Sequence, residues 1–110
     1  MIMARVAVLV PELMFASRVE ATLRAAGHEV EAAPSLEAID SGQAIDLLIA
    51  DLDAVDSSQL TGHGLPVLGF YSHVDADTRR RAEAAGVDLV VPRSRMARQM
   101  PRLVQSLLSS

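Results

Sequence analysis

At 110 residues, half of them apolar, the chain is long enough to bury one core and too short for two domains. The absence of cysteine excludes a disulfide framework, thiolate chemistry and a sulfur-ligated zinc site, and suits a cytoplasmic location. The net charge of −4 conceals segregation, because the ten basic residues are all arginine: acids prevail up to Asp56 and arginines from Arg79 onward, so separate acidic and basic faces are expected.

The opening MIMARVAVLVPE has the crude outline of a signal peptide but no small-residue cleavage site, and it runs straight into a strand pattern over Val6 to Val10. Every apolar run is interrupted by Asp or Glu before it could span a membrane. Leu13 to Ala26 carries apolar residues at helical spacing (Leu13, Ala16, Val19, Leu23, Ala26), with Gly27 as its stop. His28 to Ala33 alternates as a strand near a sheet edge. Pro34-Ser35 then opens a short helical turn, with Ser35 as N-cap, Ala38 and Ile39 facing in, and Gly42 ending it.

Ala44 to Asp51 is a short apolar run ending on a carboxylate, which is the pattern of a buried parallel strand. The turn-rich segment Leu52 to Leu65 has room for one helical turn near Val55 to Leu60, and Pro66 to Tyr71 is a fourth strand. Asp75 to Ala85 predicts an amphipathic helix closed by Gly86, and Val87 to Val91 a fifth strand. Arg95 to Leu108 predicts a final helix with Met96, Met100, Leu103, Val104 and Leu107 inward and Pro101 as a point of weakness. Strands alternating with helical segments imply right-handed crossovers and helices on both faces of a parallel sheet. The expected class is α/β, a flavodoxin-like doubly wound sheet of five parallel strands in the order 2-1-3-4-5. Ligands of such folds sit at the C-terminal strand ends, here after Val10, Asp51, Tyr71 and Val91.

One stretch is specific. Pro66 to Arg95, PVLGFYSHVDADTRRRAEAAGVDLVVPRSR, follows without a gap the order strand, switch hydroxyl, helix, Ala-Gly, strand and Lys-Pro loop, with Ala85-Gly86 and Pro92 in place. Together with DLLIAD ending on Asp51, and Arg18 to Gly27 as first helix and stop, it makes the chain resemble the receiver domains of two-component response regulators over nearly its whole length. The resemblance implies that Asp51 stands at the phosphoacceptor position. It also implies an Mg²⁺ site built from acids after strand one, with the backbone carbonyl at Asp53, since a hard cation needs oxygen ligands and offsets the charge on a phosphoryl group.

Several positions depart from that pattern. Val10 and Pro11 stand where the family has two acids, leaving Glu12 as the nearest carboxylate, so Mg²⁺ would rest on Glu12, Asp51 and Asp53. Tyr71 replaces the switch hydroxyl, with Ser72 as a substitute, Arg93 replaces the lysine, and Val90 replaces the aromatic residue that reads out activation. The third helix is shortened, exposing apolar surface suited to docking. Asp51 is thus a phosphoacceptor, a relic or the partner of Arg93. Asp53 is a cation-facing or a turn residue, and Glu12 is a ligand or an acid in the first turn of a helix.

Other chemistries find little support. His63 and His73 lack ligand spacing and are expected to be solvated loop histidines. No nucleophile elbow, dinucleotide fingerprint or Walker loop occurs, so neither an enzyme nor a required cofactor is expected. Arg79 to Arg81 with Arg95, Arg98 and Arg102 form a solvated face or an interface. Scarce aromatics and negative net charge argue against nucleic acid. In receivers the surface of the fourth helix, fifth strand and fifth helix mediates dimerisation and docking, so the arginines of the last helix mark that surface here. The sequence favours a stand-alone pseudo-receiver acting without phosphate through another protein, a histidine kinase or output protein, or through a homodimer. Its rivals are a phosphorelay receiver using Asp51, and a binder of a nucleotide or small anion at Arg93 and Ser94.

Overall fold

Three of the five strands are apolar on both sides and fully enclosed, which requires cover on both faces of the sheet. The computed structural model describes residues 3–38, 44–72 and 76–109. Its strands are β1 (Arg5–Leu9), β2 (Glu29–Ala32), β3 (Leu47–Asp51), β4 (Val67–Tyr71) and β5 (Leu89–Pro92). Its helices are α1 (Leu13–Ala25), α2 (Ala76–Ala85) and α3 (Arg93–Leu108). All described pairings are parallel, in the order β2-β1-β3-β4-β5. The expected sheet order and strand count therefore hold. Ile39, Gly42, His73 and Asp75 lie outside the described residues.

The two faces are covered unequally. Under α1 and α3 lies a core of large side chains, among them Val6, Val8, Phe15, Leu23, Ile49, Phe70, Met96 and Met100. The opposite face is built from smaller ones, Ala7, Ala50 and Ala82 with Leu9, Leu48, Leu60 and Val67. α2 is the α-helix that packs there, assisted by 3₁₀ turns at Leu36–Ala38 and Ser57–Gln59. The shortened third helix is thus a single 3₁₀ turn capped by the Asp56 carboxylate, which accepts from the Ser58 N–H. From this loop Leu60 is driven fully into the core, replacing with one side chain what a helix would have covered. At Gly69 a Cβ would stand 2.8 Å from both Leu52 methyls, so the loop packs flush on the sheet because β4 has no side chain there.

Several expectations need correction. Leu13, expected inward, is 80% exposed, and the buried turn of α1 is instead Phe15, Ala16, Val19 and Leu23. The reason is the cap: Glu12 starts the helix, and its phase puts Leu13 and Met14 over solvent. Ala38 is exposed, because three residues of 3₁₀ turn present no amphipathic face, while Leu36 packs on the core. The weakness expected at Pro101 is present: α3 runs through the proline but kinks at Gln99 (φ −125°, ψ 17°), two residues upstream, because proline's missing N–H and bulky ring oppose regular turns. Gly27 (φ 94°) and Gly86 (φ 97°) end α1 and α2 in the left-handed conformation that glycine adopts most easily. His28 is buried and its Nδ1 accepts from the Ala4 N–H, satisfying an amide where β1 begins.

Candidate functional site

The C-terminal ends of β1, β3, β4 and β5 bring Glu12, Asp51, Asp53, Tyr71, Ser72 and Arg93 to one edge. Glu12 is the N-cap of α1. Its Oε1 accepts from the Met14 N–H (3.2 Å) and its Oε2 from the Phe15 N–H (2.7 Å). A glutamate reaches these amides because Pro11 ends the strand and the Glu12 backbone stays extended (φ −75°, ψ 113°).

Arg93 opens α3 and crosses the edge to the same carboxylate, with Nη2 3.3 Å from Glu12 Oε2. Its guanidinium carbon also lies 4.1 Å from the centroid of the Phe15 ring, a cation–π seat. Phe15 in turn meets Phe70 edge-to-face at 5.1 Å. Glu12, Arg93, Phe15 and Phe70 therefore form one stack running from solvent into the core, and it joins α1 of the first crossover to the C-terminal helix α3. Pro92, the N-cap of α3, supplies no side-chain cap.

Asp51 Oδ1 accepts from the Asp53 N–H at 3.0 Å, and the Asp51 carbonyl accepts from Ala54 and Val55, a tight turn that reverses the chain out of β3. Asp53 Oδ2 accepts from the Ser72 N–H at 2.7 Å, tying this turn to the end of β4. Tyr71 is half-buried and pairs in register with Pro92, and Ser72 is exposed. Val90 is partly buried against the smaller-residue core. Among the described residues no three His, Asp or Glu side chains are grouped closely enough to hold a metal ion. Glu12, Asp51 and Asp53 each accept from backbone amides and Glu12 also pairs with Arg93, and among the described residues the three do not form a cluster that fits Mg²⁺. His63 lies away from the site, its Nε2–H donating to the Gln59 carbonyl at 3.0 Å.

The Glu12 carboxyl is held below its ordinary value of 4.5, first by the Phe15 N–H and then, against desolvation, by the Met14 N–H and Arg93. Asp56 is held below 3.8, first by the Ser58 N–H and then by its hydroxyl, with help from Arg81. A lowered folded-state value means that the stability each contributes is complete above the ordinary value and is lost as pH falls through the lowered one. Thermal denaturation of Glu12→Gln is accordingly expected to show a lower Tm than wild type at neutral pH, with the gap closing as pH drops below 4.5. A gap independent of pH would mean that the charge on Glu12 does not support the cap.

On α3 the core is met by Met96, Met100, Leu103 and Val104, so both methionines are core residues. Arg95, Arg98 and Arg102 lie on the opposite, exposed face. Arg95 reaches Gln99 Oε1 (3.0 Å) and Arg98 the Ser94 carbonyl (3.3 Å). Among the described residues no carboxylate pairs with any of these three arginines. On α2, by contrast, Arg79 pairs with Glu83 and Arg80 with Asp77. Between these two helices, the cluster without carboxylate partners is the one on α3, a distinction that the sequence's arginine count alone does not make. Two contributors to the site escaped sequence reasoning: the cap made by Glu12, and Phe15 as the seat of Arg93. The aromatic at the third helical position after Pro11 was the available signal.

No family model matches the sequence, and neither does any curated protein. Solved structures do match in fold. NtrX from Brucella abortus, crystallised with ADP, superposes with a TM-score of 0.84 at 20% identity, over 98% of this chain and 27% of its own length. The chain thus spans about a quarter of NtrX. A response regulator from Thermotoga maritima gives a TM-score of 0.82 at 17% identity, over 99% of this chain and 100% of its own. The Vibrio cholerae chemotaxis protein CheY4 gives 0.80 at 18%, over 97% and 100%. No helix among the described residues is long and apolar enough to cross a membrane. With this sheet order, these crossovers and these structural neighbours, the chain has the CheY-like, flavodoxin-like fold of response-regulator receiver domains.

Proposed function

We propose that the chain is an atypical receiver, a signalling module that acts by contact with another protein and not by accepting phosphate on Asp51. The observation that carries this reading is the Glu12–Arg93 pair: the carboxylate available for Mg²⁺ and the cation available for a phosphoryl group are spent on each other and on capping α1. Tyr71 in place of a small hydroxyl, and the Asp53 carboxylate tied to the Ser72 amide, support it. Output then passes through the surface of α2, β5 and α3, where Arg95, Arg98 and Arg102 present charge without carboxylate partners and suit an acidic partner surface. That partner is a kinase, an output protein or a second copy, and the module acts as a binder and not as an enzyme, in a cytoplasmic setting.

Proteins retained by the immobilised chain provide the test. The double variant Arg98→Glu/Arg102→Glu is expected to weaken retention at least tenfold, about 1.4 kcal/mol or more, because each exposed charge is reversed against its partner. Its Tm is expected to stay near that of wild type, since neither arginine is buried. Asp51→Asn is expected to retain the same proteins with and without Mg²⁺ and beryllofluoride. Retention that depends on Asp51 and beryllofluoride favours the phosphorelay reading, and retention unchanged by the double reversal moves the contact off this face.

A further inference from the structure

Beside the Glu12–Arg93 pair, a groove of about 450 Å³ runs between α1 and α3 at the ends of β4 and β5, within the size range of small-molecule sites. Tyr71, Pro92 and Ala97 give it apolar walls, and no carboxylate among the described residues lines it. Two guanidiniums do, and they differ in standing. Arg93 is compensated by Glu12 and seated on Phe15. Arg18, one turn along α1 from Phe15, is exposed, and no carboxylate pairs with it among the described residues. Ser72 and Ser94 add exposed hydroxyls.

We infer that this groove binds a small monocarboxylic acid carrying a flat apolar ring. One uncompensated cation beside apolar walls selects one negative charge attached to an apolar body. The ring would lie against Tyr71 and Pro92 and leave water, while the carboxylate takes the two-pronged grip that a guanidinium offers. Inorganic phosphate would use only the polar side of the groove, because the Tyr71 ring, Pro92 and Ala97 return no hydrogen bonds for the hydration it gives up there. This assignment goes beyond the docking role and does not depend on α3's outer face. It gives the module a chemical input at the edge where Arg93 links α3 to the start of α1.

The test is a titration of the ¹⁵N-labelled chain with 1-naphthoate, with neutral 1-naphthalenemethanol and with inorganic phosphate, followed by amide shifts. Naphthoate is expected to give saturable shifts at Tyr71, Ser72 and Ser94 with half-saturation at about 1 mM, as suits a ligand of this size. Arg18→Ala is expected to raise that concentration about tenfold, for loss of a charged hydrogen-bonded contact, with the rest of the spectrum unchanged. Arg18→Lys is expected to recover part of the affinity. Shifts that do not saturate, equal binding of the alcohol, indifference to Arg18→Ala, or the same shifts from phosphate alone would each overturn the assignment.

Discussion

Phe15→Ala is expected to lower the stability of the chain by about 3–5 kcal/mol, the largest loss from any single truncation at the site. The ring is 3% exposed, meets Phe70 edge-to-face at 5.1 Å, and carries the Arg93 guanidinium 4.1 Å above it. Removing it opens a cavity where α1 packs on β4, and it also takes away the seat that holds Arg93 near Glu12. Chemical denaturation monitored by circular dichroism gives the value, with an unchanged denaturant slope showing that the unfolded state is not what moved. Phe15→Leu keeps most of the volume and is expected to cost much less. A loss below about 1 kcal/mol for the alanine variant would mean that the surroundings collapse onto the gap, and that the stack does not organise this edge.

Gly69→Val is expected to cost about 1–3 kcal/mol, from overpacking and not from backbone strain. A Cβ at residue 69 would approach both Leu52 methyls to 2.8 Å and its Cγ to 2.9 Å, so Leu52 must leave its place on the sheet. Because the clash involves one side chain, Leu52→Ala in the Gly69→Val background is expected to restore part of the loss, with a coupling of about 0.5–3 kcal/mol in a double-mutant cycle. Additive effects would show that Leu52 yields freely, and that the short crossover from β3 is held by Leu60 and the Asp56 cap alone. A full third helix would have spread this contact over several side chains.

The sheet was legible in the sequence for a simple physical reason: buried parallel strands are short continuous apolar runs, and LLIAD and VLGFY have few other ways to be satisfied. Gly27 and Gly86 marked helix ends because few other residues take their backbone angles. The buried face of α1 was legible at Ala16, Val19 and Leu23, but apolar spacing alone did not show where that face begins, since Leu13 fits the spacing to Ala16 and yet is exposed while Phe15 is buried. The cap at Glu12 decided where it begins. Capping by glutamate is uncommon beside Ser, Thr, Asp and Asn, so Glu12 looked like a cation ligand or a first-turn acid before its amide contacts were visible. The placement of Asp51, Tyr71 and Arg93 at one edge followed from strand ends alone. What Arg93 reaches depended on side-chain geometry across 81 residues of separation, which no local pattern encodes.

The same geometry separates the two arginine clusters. Arg79 and Arg80 have acids one turn away on α2, so local spacing predicts their neutralisation, whereas Arg95, Arg98 and Arg102 lie on a helix that contains no acid at all.

The most direct test of phosphate-independent action is a ¹⁵N-HSQC titration with millimolar-range Mg²⁺, the order expected for weak hard-cation sites, followed by beryllofluoride, on wild type and on Asp51→Ala. With Glu12 capping α1 and paired to Arg93, the amides around Asp51, Tyr71 and Arg93 are expected to stay in place in both proteins. Shifts at those three positions in wild type that vanish in Asp51→Ala would contradict the account and make Asp51 a working phosphoacceptor.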